Sequence, residues 1–165
     1  MPFEGFSEAA QLYAENLGVI EALKKEMDSD ARSFLQAIEE EVQPHVNNRL
    51  QSSEYRGYYY WWLGVDGAHK NDYPQLYFNL TRFPELVVPG KLVVVCCAPG
   101  KEKAVLVEIT KVVDDVAGCR SRNGAEWSIF EAELSYGAEP DITAIASYVA
   151  ELLLAIERRV QHLTG

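Results

Sequence analysis

The run Tyr58-Tyr59-Tyr60-Trp61-Trp62 is the densest group of chemically distinctive side chains in the sequence. Glycines bound it at Gly57 and Gly64, as they would a strand. Strand residues alternate, so Tyr58, Tyr60 and Trp62 share one face and Tyr59, Trp61 and Leu63 the other. One face can enter a core. The other then offers rings to a protein partner or to a planar ligand. The structural alternative is a strand buried on both sides. As a ligand site, Tyr58, Tyr60, Trp62, Tyr77 and Trp127 would line a pocket between sheet and helices. Arg56 or His69 would then be its polar anchor.

Other chemistry is poorly supplied. His45, His69, His162 and the three cysteines show no CxxC, HxxxH or HExxH spacing, so no metal site is expected. No Gly-x-Ser-x-Gly elbow is present. Cys96 and Cys97 fall in an apolar run, where thiols are inert packing. Cys119, followed by Arg120, is the best candidate for a reactive thiol. Pro99-Gly100-Lys101 reads as a turn between strands, without the helix a phosphate loop needs. Glu108 and Lys111, with Asp66 or Asp72, are the one set that suggests a metal-dependent nuclease. On a strand the Glu-x-x-Lys spacing points the two side chains oppositely, so a bulge would be required. No catalytic residue and no cofactor are assigned.

The elements that would position these groups follow from periodicity. Ser7 is an N-cap for a first helix carrying Leu12, Tyr13, Leu17, Ile20, Leu23 and Met27. Asp28-Ser29-Asp30 reads as a break. A second helix follows with Phe34, Leu35, Ile38 and Val42 inward and Glu39, Glu40 and Glu41 outward, ending at Pro44. Strands are expected at 58–63, 75–81, 91–98 and 103–113. A hairpin across Asn123-Gly124 should add the last arms. The 91–98 strand is apolar on both faces and should be central and covered twice. Asp141 caps a final helix whose stripe runs through Ile145, Val149, Leu152 and Ile156.

The fold expected is therefore α+β. It has two N-terminal helices, an antiparallel β-meander of about five or six strands, and a long C-terminal helix packed on one sheet face. The 165 residues suit a single domain: an acidic helical segment at 1–54, the sheet at 55–138 and the last helix at 139–165.

The formal charge is −10, and residues 1–54 hold −7 of it, with 11 acidic and 4 basic side chains. Such a field disfavours nucleic acid and anionic membranes and would attract a basic protein. The first residues lack the basic and apolar regions of a signal peptide, and an odd cysteine count suits reduced thiols in the cytoplasm. The leading expectation is a non-enzymatic, self-associating interaction domain, a homodimer through a sheet face or the last helix. It would be chaperone- or adaptor-like by functional analogy with small acidic secretion chaperones. A small-molecule-binding protein or enzyme is the alternative, and a nuclease-like enzyme a third.

Overall fold

A computed structural model describes residues 5–67, 69–122, 127–137 and 139–163. The chain opens with α1 (Glu8–Glu15), capped by the Ser7 hydroxyl, which accepts from the Ala10 amide at 3.2 Å. Asn16 interrupts the helix: its backbone leaves the helical region and its side-chain amide donates back to the Leu12 carbonyl at 2.8 Å. Then α2 (Leu17–Val42) runs unbroken through Asp28-Ser29-Asp30, the site of the expected break. Asp and Ser are each only a few tenths of a kcal/mol worse than good helix formers, roughly 0.5 kcal/mol. The turn is also bridged by the Ser33 hydroxyl donating to the Ser29 carbonyl. Pro44 ends α2 as expected, in a short 3-10 turn over Gln43–Val46.

Six antiparallel strands form one sheet in the order β1-β2-β3-β4-β6-β5. They are β1 (Leu50–Tyr55), β2 (Tyr58–Leu63), β3 (Gln75–Asn79), β4 (Lys91–Cys97), β5 (Cys119–Ser121) and β6 (Ser128–Ser135). The meander runs through the first four strands. The chain then crosses to the far edge at β5 and returns as β6 beside β4.

The first strand begins at Leu50, inside the segment read as helical. It joins β2 through Arg56-Gly57, where φ is +50° and +80°, the signature of a tight twisted hairpin turn. The Asn123-Gly124 turn lies outside the described residues, but β5 and β6 pair antiparallel as that hairpin requires.

The 103–113 segment is helical, not a strand: α4 (Lys103–Thr110) and α5 (Val112–Asp115). Its apolar residues serve either period. At helical spacing Val105, Ile109 and Val112 reach the core, and Ile109 and Val112 are fully buried. A short α3 (Phe83–Val87) precedes β4.

The final helix, α6 (Ile142–Val160), is capped by Asp141, which accepts from the Ala144 amide at 3.0 Å. Its stripe Ile145, Val149, Leu152 and Ile156 is buried. It packs against α2 and the sheet in one core with Leu35, Ile38, Trp61, Leu76, Val94 and Phe130. The surface on which the sequence rested dimerisation through this helix is thus enclosed within the chain. No helix among the described residues is long and apolar enough to cross a membrane.

Candidate functional site

The helices take the Tyr59–Trp61–Leu63 face of β2, which joins the core. The Trp61 indole is fully buried and donates to the Glu39 carboxylate on α2 at 2.9 Å. Glu39 is therefore a half-buried acceptor, not part of the outward acidic face. Tyr59, close to Glu39 and shielded from water, has its hydroxyl pushed up to about 12, chiefly by burial.

Tyr58, Tyr60 and Trp62 point to the opposite face. Register carries this face across the sheet: Ser53 lies beside Tyr60, Tyr60 beside Tyr77, Tyr77 beside Val95, and Val95 beside Glu131. Arg120 completes the row and pairs with Glu131. One half of the face is aromatic, with the Tyr77 ring 5.5 Å from Tyr58 and 5.8 Å from Tyr60. The other half is ion-paired, with Lys91 bound to Glu133 at 2.9 Å. Val93 and Val95 are buried although they stand outside the core shared with the helices. Their register neighbours Tyr77, Glu131 and Glu133 flank them with long side chains. The second cover expected over β4 thus comes from the sheet's own side chains.

The candidates separate by position. Tyr60, His69 and Trp127 line an open cleft of about 760 Å³ on this outer face. Tyr55, Lys70 and Gln75 line it too, with Cys97 on the same strand face as Val95. Tyr58 and Tyr77 adjoin the cleft through ring contacts. Trp62 is 5% exposed and tucked against Gly64, and its indole N–H has no hydrogen-bond partner among the described residues. Arg56 sits in the hairpin turn, its guanidinium 5.1 Å from the Tyr55 ring centre. The aromatic pocket expected between sheet and helices is instead on the sheet's far side, because strand alternation sends these rings away from α2 and α6.

Lys70 was not legible as a site residue, because nothing in the 66–72 loop sequence marks it. Its ammonium stands 3.8 Å from the Tyr60 ring centre and 5.0 Å from that of Tyr55. The loop is pinned by Gln75, which is buried and donates to the carbonyls of Lys70 and Tyr73. The His69 Nδ1 accepts from the Asn71 amide at 3.2 Å. Burial pushes the Cys97 thiol up to about 12, so it is a packing group.

A second cavity, about 390 Å³, does lie between the helices and the end of the sheet. Its walls are mainly aliphatic, from Leu63, Val105, Leu153 and Ile156, with Tyr73 as an aromatic and the Arg49–Glu157 pair, Asp72 and Lys101 among its polar lining.

The other chemical candidates resolve differently. On α4 the Glu-x-x-Lys spacing puts both residues on one helical face, and Glu108 binds Lys111 at 2.5 Å without any bulge. Asp66 accepts from Gln51 instead, and Asp72 lies by the second cavity. No metal-holding group of three His, Cys, Asp or Glu forms among the described residues. A helix does follow Pro99-Gly100-Lys101, but the phosphate-loop spacing is still missing and Glu102 sits at its N-cap. Arg120 is engaged by Glu131, and burial raises the Cys119 thiol rather than activating it. No protein-family model, curated protein or solved structure matches this chain.

Proposed function

We propose that this chain is a non-enzymatic protein-interaction domain whose N-terminal helical arm, residues 8–30, docks a basic amphipathic segment of a partner protein. One observation carries the reading. The stripe that α2 buries with Ala31, Leu35, Ile38 and Val42 continues toward the N-terminus, where among the described residues its cover runs out: Met27 is part-buried against the core and Ile20 half-buried, and no α2 residue before Ala31 is fully buried. Leu12, Leu17, Val19 and Leu23 are 40–61% exposed, and α1 buries no residue at all. Covering a leucine fully is worth roughly 1.5–3 kcal/mol, so several such side chains make a substantial docking energy.

Charge favours a basic occupant over a second copy of the arm. Residues 8–30 hold six carboxylates (Glu8, Glu15, Glu21, Glu26, Asp28, Asp30) against Lys24 and Lys25, net −4. Two such arms repel, whereas a lysine-rich amphipathic helix is attracted and presents leucines to the stripe. Free Cys96, Cys97 and Cys119 favour a reducing compartment such as the cytoplasm.

The test is fluorescence anisotropy with a labelled Leu/Lys amphipathic peptide and a scrambled peptide of equal composition. The amphipathic peptide should bind in the micromolar range, weaken with added salt, and lose about tenfold or more on joint Leu17→Asp and Leu23→Asp substitution. Equal binding of the scrambled peptide, or no loss in the substituted chain, would overturn the reading. So would light scattering that finds a dimer dissolved by the same substitutions, which would make a second copy the occupant.

A further inference from the structure

We propose that the open cleft on the outer sheet face binds a planar aromatic ligand carrying a carboxylate or phosphate group. This goes beyond the arm's role and uses none of its residues.

The lining supplies both halves of such a ligand's chemistry. The half-exposed Trp127 is the open ring surface, and Tyr55 and Tyr60 add aromatic lining beside it. Lys70 is the one lining side chain with a permanent charge, and no carboxylate lines the cleft among the described residues. In a chain of net −10, a recess that holds a lysine and, among the described residues, no carboxylate is a local reversal of sign. It repels cations and gives an anion an attractive point. Tyr60 and Tyr55 hold the Lys70 ammonium over their faces, so little ordering is left for binding to pay. His69 can donate as well. Its Nδ1 already accepts from the Asn71 amide, which leaves Nε2 to carry the proton of the neutral ring.

The recess is also pre-formed. Gln75, 1% exposed, ties the carbonyls of Lys70 and Tyr73 to β3 and fixes the loop that carries Lys70. The volume, about 760 Å³, lies in the range that accepts a small organic molecule. A neutral aromatic would use the rings and waste the lysine. A non-aromatic anion would use the lysine and leave the rings wet. Only a ligand with both parts uses the whole lining.

Two sources share this chemistry, an aromatic carboxylate and a mononucleotide, and the assay separates them. Indole-3-carboxylate, indole-3-carboxamide and adenosine monophosphate are titrated by calorimetry against the full chain, its Lys70→Gln and Trp127→Ala variants, and the Leu17→Asp arm variant. One of the two anions should bind with a sub-millimolar constant, and whichever binds names the source. The carboxamide should bind at least about tenfold more weakly than the carboxylate. Lys70→Gln should erase that preference, Trp127→Ala should weaken both indoles, and Leu17→Asp should change nothing. No binding of either anion at about 10 mM, equal binding of the carboxamide, or indifference to Lys70→Gln would overturn the proposal. Because the arm variant is read separately, failure here leaves the docking result untouched.

Discussion

Arg49 and Glu157 meet through two hydrogen bonds, Nη1 to Oε1 at 2.5 Å and Nη2 to Oε2 at 3.0 Å, across 108 residues of chain. The pair ties the segment that leaves α2 to the last turns of α6, at the edge of the aliphatic cavity. Two-point geometry makes it better than an ordinary surface ion pair, but the arginine is 39% exposed and water screens it. Glu157→Gln should therefore cost about 1 kcal/mol in urea unfolding at low salt and much less at about 1 M sodium chloride. A cost that salt does not reduce would mean the residue acts by packing.

Glu39 and Trp61 make a sharper case. Removing the carboxylate by Glu39→Ala leaves a fully buried indole N–H without its acceptor. That should cost about 1–3 kcal/mol, while Glu39→Gln, which keeps an acceptor oxygen, should cost less. Paired urea titrations measure both. Equal losses would show that the charge, not the hydrogen bond, matters.

Gly118 precedes β5 with φ at +81°, and an added Cβ would run into the Glu133 carbonyl oxygen of β6. The Tyr148 hydroxyl, donating to the Ala117 carbonyl at 2.8 Å, closes the same space. At a compatible site Gly→Ala stabilises by about 0.4–1 kcal/mol, but here Gly118→Ala should destabilise by more than that and lower the thermal midpoint. Near-native stability of that variant would contradict the close approach of these strands.

Acid should weaken the fold through its cation-paired carboxyls. Arg32 holds Glu54, Arg82 holds Glu85, Lys111 holds Glu108, Arg159 holds Asp115 and Lys91 holds Glu133 below their ordinary values, in each case chiefly by hydrogen bonding. A lowered folded-state value means that the unfolded chain binds protons first. The stabilisation is therefore complete above the unfolded values, 4.5 for Glu and 3.8 for Asp, and is lost as pH falls through the lowered ones. Asp115→Asn removes one such group, so the denaturant midpoint should fall less steeply below about pH 4 than in the parent. Identical slopes would show that the Arg159–Asp115 contact, at 2.5 and 2.6 Å, does not persist in solution.

Strong local signals carried from sequence to structure, and ambiguous ones did not. The Asp141 cap and the stripe of α6 are legible because cap and period agree. The Leu50–Tyr55 strand was hidden because it is polar and because Arg56-Gly57 replaces the usual Asn-Gly turn. The 103–113 run is rich in Val and Ile, which suits a strand by propensity and a helix by spacing. Packing against α6 decided for the helix, and that moved Glu108 and Lys111 onto one face. Alternation correctly split the aromatic run into two faces, but it cannot say which face meets the helices. The position of Lys70 over Tyr60 depends on a loop folded by Gln75, a contact that no local pattern encodes. Periodicity likewise gives the apolar stripe of the arm without saying how far the body extends to cover it.

Amide hydrogen exchange across residues 8–30, with and without the Leu/Lys peptide, addresses the docking arm most directly. In the free chain these amides should exchange far faster than those of residues 31–42, which lie on the core. Adding peptide should slow exchange over residues 12–27 and leave the body unchanged. Arm amides that are already as protected as the body in the free chain, or that exchange at the same rate with peptide bound, would contradict the account.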